Sequence, residues 1–151
     1  MALIDLRNEK MHAACQQAVL EVLETMFFEL PESTGELVEH HVDDASLVTA
    51  RFSGSLNGVL CVALSSASPQ RLAAGFLGME EEDIGPDEEH SMVVELANVL
   101  CGSTMSRVEP LGRLIIEQPG VGEHPEDVHG PWLRFPLESG LIEVSVQYEG
   151  H

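Results

Sequence analysis

The run Gly58-Val59-Leu60-Cys61-Val62-Ala63-Leu64 constrains the fold more than any other segment. It is apolar throughout and lacks the alternation of a half-exposed strand, so it reads as a strand buried on both faces. Before it lies an alternating run in which Leu47, Thr49 and Arg51 interleave with Val48, Ala50 and Phe52. Between the two is Gly54-Ser55-Leu56-Asn57-Gly58. An Asn-Gly pair flanked by apolar runs is a strong hairpin signal. A second hairpin is expected near the end of the chain. Leu133, Phe135 and Leu137 alternate with other residues, Ser139-Gly140 supplies a turn, and Ile142, Val144, Val146 and Tyr148 then share one face.

Helical patterns surround these strands. Residues 11–30 place Ala14, Ala18, Val22, Leu23, Met26, Phe27 and Leu30 near helical spacing, and Pro31 closes the pattern. Ser68-Pro69 opens a short helix, with Ser68 as cap and Pro69 at the first helical position, and Gly78 stops it. An acidic connector over residues 80–89 leads into a second long helix at residues 87–108, closed by Pro110. A short strand follows at residues 114–116, then an exposed Gly- and Pro-rich loop at 119–131. The order is helix, hairpin, helix, helix, strand, hairpin. It leaves little room for parallel crossovers and favours an α+β fold, a mostly antiparallel sheet covered on one face by two long helices and a short helix. The 151 residues fit a single domain spanning residues 1–151.

Charge excludes several functions. Seven Lys and Arg against 26 Asp and Glu give a net charge of −19. Nucleic acids and anionic membrane surfaces require positive charge, so neither is an expected partner. The three cysteines Cys15, Cys61 and Cys101 are odd in number and widely spaced, against a disulfide framework or a zinc site. No apolar run approaches membrane-spanning length. The first ten residues show no basic-then-apolar signal pattern, and a cytoplasmic location is the expectation.

The second long helix carries the chemistry. Val93, Leu96, Val99 and Leu100 form its apolar stripe. Ser91, Glu95, Asn98 and Gly102 follow at steps of four, three and four, which sets them in one line along the helix surface. Spacing alone reads as a solvated face. The interior asparagine, a mediocre helix former, is the one detail that spacing does not account for.

Ser91-Met92-Val93-Val94-Glu95-Leu96-Ala97-Asn98, continuing Val99-Leu100-Cys101-Gly102, resembles the signature helix of the CheX, CheC and FliY chemotaxis phosphatases. The surrounding elements occur in the same order as in that family, so the resemblance covers about residues 11–148. Pro119 stands near the position of a family proline, after a somewhat shorter spacer. The first helix offers Glu21-Val22-Leu23-Glu24, without the asparagine of a second site, so the chain is closest to the single-site CheX type.

The resemblance implies a protein aspartyl-phosphate phosphatase acting on a phosphorylated CheY-type receiver domain. Asn98 would orient the attacking water and Glu95 would pair with the receiver's active-site lysine. Ser91 would tune the same face or contact the partner, and Gly102 would permit close packing, or else close approach of the partner. The chain would hold no cofactor of its own, Mg²⁺ being supplied by the receiver. The resemblance also implies a homodimer paired through sheet edges, with the final hairpin available for it. A CheX-like domain that binds a receiver or a flagellar or signalling partner without catalysis is the alternative.

Two other patterns carry less. Cys101 to Arg107 has the C-x5-R spacing of cysteine phosphatases, but it continues a helical pattern where that chemistry needs a strand-to-helix loop. His40, His41, Asp43 and Asp44, and His124 with His129, match no standard metal spacing and read as solvated loop residues.

Overall fold

A computed structural model describes residues 2–122, 126 and 128–150. Its elements are β1 (Ala2–Ile4), α1 (Glu9–Met26), β2 (Glu36–Val38), β3 (Ser46–Gly54), β4 (Asn57–Ser66), α2 (Ser68–Leu77), a 3-10 turn (Glu81–Asp83), α3 (Pro86–Val108), β5 (Leu114–Ile116), β6 (Gly120–Val121), β7 (Trp132–Leu137) and β8 (Gly140–Gly150). All strand pairs are antiparallel and form one eight-stranded sheet in the order β2-β7-β8-β4-β3-β5. Strand β1 continues the β7 side of β8, and β6 continues the β5 side of β3.

The expected α+β architecture is present, and β4 is its central strand. Leu60, Val62 and Leu64 point into the main core with Val144 and Val146 of β8, beneath Leu96 and Leu100 of α3. Each buried leucine there contributes about 2 kcal/mol by leaving water. Helix α3 packs against both α1 and α2 as well as the sheet. On the opposite side of β4, Val59, Cys61 and Ala63 join Val128 and Trp132 in a smaller cluster.

That outer face is also polar. Glu143, Ser145 and Gln147 of β8 are buried. Glu143 accepts hydrogen bonds from the Val42 amide at 3.0 Å and from Arg134 Nε at 2.9 Å. Ser145 donates to the Pro131 carbonyl, and Gln147 accepts from the His129 amide. Each buried polar group thus fastens a covering segment to the sheet instead of standing unpaired.

Several sequence expectations are corrected. The first helix stops at Met26, not near Leu30; the amides of Phe27 and Glu29 both return to the Leu23 carbonyl, with Phe28 between them at φ 57°. The apolar pattern persists past Met26 because Phe27, the cap residue just before the turn at Phe28, packs on Phe76. Asn57-Gly58 is not the first hairpin's turn but the start of β4, and Gly54 at φ 121° enters the turn. Gly58 serves close packing: a Cβ there would lie 2.2 Å from the Gln147 carbonyl oxygen and 2.6 Å from the Phe52 ring. Ser68 begins α2 but does not cap it; its hydroxyl donates to the carbonyls of Ser65 and Leu141. The final hairpin is not a free edge, since β8 is flanked on both sides and β7 pairs with β2. Strands β1, β2 and β6 are two or three residues long and carry no alternation a sequence could show.

Removing the Glu143 carboxylate strands the Arg134 guanidinium and the Val42 amide. Glu143→Ala is expected to destabilise the fold by about 3 kcal/mol in denaturant titration. The emission of Trp132, the sole tryptophan and only 4% exposed, should shift to the red as the cover loosens.

Candidate active site

Helix α3 begins one residue earlier than the acidic pattern suggests. Pro86 fits the first helical position, Asp87, Glu88 and Glu89 complement the positive end of the helix, and Glu88 accepts from the Gly85 amide at 3.0 Å. Met92, Val93, Leu96, Ala97, Leu100, Cys101, Thr104, Met105 and Val108 are buried, which fixes the rotation of the helix about its axis. The opposite face is therefore directed outward. Ser91 and Asn98 are exposed, and Glu95 and Gly102 are half-buried. All four predicted residues lie on that face. Glu95 and Asn98 are separated by about 4.5 Å along the axis, at 1.5 Å rise per residue. Among the described residues, neither side chain makes a hydrogen bond or ion pair.

Two neighbours hold this face in place. Arg107 donates to the Ser103 carbonyl at 3.0 Å and to its hydroxyl, and pairs with Glu21 of α1. Glu21, in the first-helix segment that lacks an asparagine, thus ties α1 to α3. Sequence reasoning did not find this pair, because 86 positions separate its members and neither belongs to a motif. On another side, Ile116 of β5 lies against Gly102. Between β5 and β6 the edge strand gains one residue: Phe52 faces Ile116 and Thr49 faces Gly120, so three steps on β3 meet four on the edge. Pro119 is buried in this bulge, where its missing N–H breaks no ladder bond.

Among the described residues, the alternative patterns form no site. Cys101 is fully buried within α3, and burial pushes its thiol up to about 12. Arg107 is committed to Ser103 and Glu21, and no phosphate-cradling loop separates the two residues. His41 bonds the Val42 carbonyl through Nδ1 and meets Trp132 edge-on at 4.8 Å. His124 lies outside the described residues. Among the described residues, no group of three or more His, Cys, Asp or Glu side chains is placed to hold a metal ion.

The profile of the family described as chemotaxis phosphatase CheX matches residues 46–124, which include the whole of α3 and the edge strand. The chain belongs to the CheX family. CheX from Borrelia burgdorferi, solved in a CheX–CheY–BeF3–Mg²⁺ complex, superposes with a TM-score of 0.74 at 17% identity, covering 95% of this chain and 100% of that one. CheX from Desulfovibrio desulfuricans gives 0.74 at 18% identity, covering 92% and 99%. Thermotoga maritima FliY gives 0.60 at 13% identity, covering 91% and 85%. At these identities the structural likeness concerns the fold. No curated protein matches the chain by sequence. No described helix of this CheX-family chain is long and apolar enough to cross a membrane.

Two expectations follow from α3. A Cβ added at Gly102 would meet only the Ile116 Cδ1 atom, at 3.8 Å, so packing does not demand glycine there. Gly102→Ala should therefore raise stability by up to about 1 kcal/mol in thermal or denaturant melts. Burial pushes the Cys101 thiol up to about 12, so it stays protonated at pH 8. It should resist iodoacetamide in the native state and react once the chain is unfolded, as read by mass spectrometry.

Proposed function

We propose that this CheX-family chain hydrolyses the phospho-aspartate of a CheY-type receiver domain, with Glu95 and Asn98 as the working pair. The observation that carries the reading is their joint display on the outward face of α3, in a chain whose family is a chemotaxis phosphatase. A convex helix with both polar ends projecting is suited to enter the active-site cleft of another protein, not to enclose a small substrate.

Asn98 is neutral beside a phosphoryl group, and its carboxamide both donates and accepts. It can bond the phosphoryl oxygens while orienting a water in line with the aspartyl oxygen. The water oxygen bonds to phosphorus as the bond to the aspartyl oxygen breaks. The products are inorganic phosphate and the free receiver carboxylate, with one proton released to solvent. Glu95 pairs with the lysine of the receiver site and sets the register that brings Asn98 to the phosphoryl group. Catalysis of this type is positioning more than acid–base chemistry. In this reading the Mg²⁺ is supplied by the receiver, where it would offset charge on the phosphoryl oxygens. The Borrelia CheX was crystallised with CheY, BeF3 and Mg²⁺, which supports the choice of partner class. Ser91 and Gly102 flank the pair and form the rest of the contact line. A cytoplasmic location follows from that partner. Pairing of two copies through the edges of β2 or β5 belongs to the same reading.

The test is phosphate release from a panel of phosphorylated receivers. Asn98→Ala should lower the rate at least about 100-fold while binding to a BeF3-activated receiver is kept, and Glu95→Ala should weaken both. Undiminished hydrolysis by the Asn98 variant would overturn the assignment. Binding without hydrolysis by the unmodified chain would favour the non-catalytic docking domain.

A further inference from the structure

Between the C-terminal ends of α1 and α2 lies a hollow of about 240 Å³. Its floor is tightly built. Phe27 stacks on Phe76 with ring centroids 5.2 Å apart. Gly75 lets the Phe27 backbone approach so closely that a Cβ would sit 2.4 Å from its carbonyl oxygen. The reversal after α1 is thus pressed against α2. The next residue, Phe28, is at φ 57°, the only non-glycine residue with positive φ among those described. Helices often end on such a residue, but glycine usually supplies it because a Cβ is strained there. Burying a large ring in the chain's own core could offset that strain, yet Phe28 is 76% exposed. Met79, also exposed, lines the same hollow. The chain thus keeps an exposed aromatic ring on a strained backbone, beside a second apolar side chain, and such strain clusters at ligand-binding sites.

The rim states what can cover it. Glu29, Glu80 and Glu81 line the hollow together with Arg71. The Arg71 guanidinium lies 3.8 Å from the carboxylates of Glu29 and Glu81 and 3.4 Å from that of Glu138. Its charge is already matched by the chain's own acids, and the rim keeps an excess of negative charge. A nucleic acid or anionic bilayer is repelled. A second copy, meeting this face with the same face, would bring the same acids against it. Apolar side chains flanked by Lys or Arg satisfy both the ring and the rim.

We propose that this hollow docks a basic amphipathic segment of a partner protein, with an apolar side chain seated between Phe28 and Met79 and cationic side chains on Glu80 and Glu81. None of Ser91, Glu95, Asn98 or Gly102 lines it, so it is a second surface, independent of the proposed phosphatase site.

The probe is a fluorescein-labelled helical peptide with leucines on one face and Lys and Arg on the other, against a scrambled peptide of the same composition. Phe28→Gly leaves the net charge unchanged and relieves the backbone. Its melting temperature should rise by about 3 °C, and its affinity for the amphipathic peptide should fall about tenfold. Met79→Gln should weaken the peptide in the same direction with the fold intact. Equal binding by the Phe28→Gly chain, or equal binding of the scrambled peptide, would show attraction by surface charge alone and overturn the proposal. A lower melting temperature in Phe28→Gly would make Phe28 structural and also overturn it. So would a dimer, by sedimentation, that this variant converts to monomer, since a second copy would then be the occupant.

Discussion

From Val59 to Ser65, strand β4 has no side that meets water. Val59, Cys61 and Ala63 are buried toward one face of the sheet, and Leu60, Val62 and Leu64 toward the other. A strand in that position must be paired along both edges and covered above and below, because its backbone groups and its apolar side chains would otherwise lack partners. Most of the architecture answers to that demand. Strands β3 and β8 take its edges, the helix layer covers one face, and Trp132, Val128 and the segments fastened by Glu143, Ser145 and Gln147 cover the other.

The functional face is a by-product of the same packing. Helix α3 lies between α1 and α2 and over the strands at the β3 edge, so its buried stripe admits one rotation about the axis. That rotation turns Glu95 and Asn98 toward the outward face of the helix. The Arg107–Glu21 pair adds a polar tie between α3 and α1, and Ile116 borders Gly102. Rigid placement on a helix suits the proposed role, in which the substrate would be another folded protein.

Charge plays different parts on different surfaces. The excess of acid rules out broad attraction to polyanions, yet on the α3 line Glu95 is the only carboxylate among the four aligned residues. Near Phe28, acids crowd the rim of an apolar hollow. One arrangement can pair a single lysine, and the other selects a segment that is both apolar and basic.

What the chain determined by itself is the periodic part. The unbroken apolar run of β4, the alternation in β8 and the helical spacing of α3 each follow from local geometry, so strand, strand and helix were legible, and with them the alignment of Ser91, Glu95, Asn98 and Gly102. Strands β1, β2 and β6 were not legible, because two or three residues carry no period and their pairing is set by neighbours distant in sequence. The end of α1 was misjudged for a related reason: Phe27 stays apolar to pack on Phe76, not to extend the helix. In the sequence Gly102 read mainly as a packing residue, and the structure instead shows room for a side chain there. That Glu95 and Asn98 reach solvent, and that Phe28 is held out from the surface, are facts of packing. Only the tertiary structure decided them, since a helix pattern states which residues share a face but not which face the rest of the molecule covers.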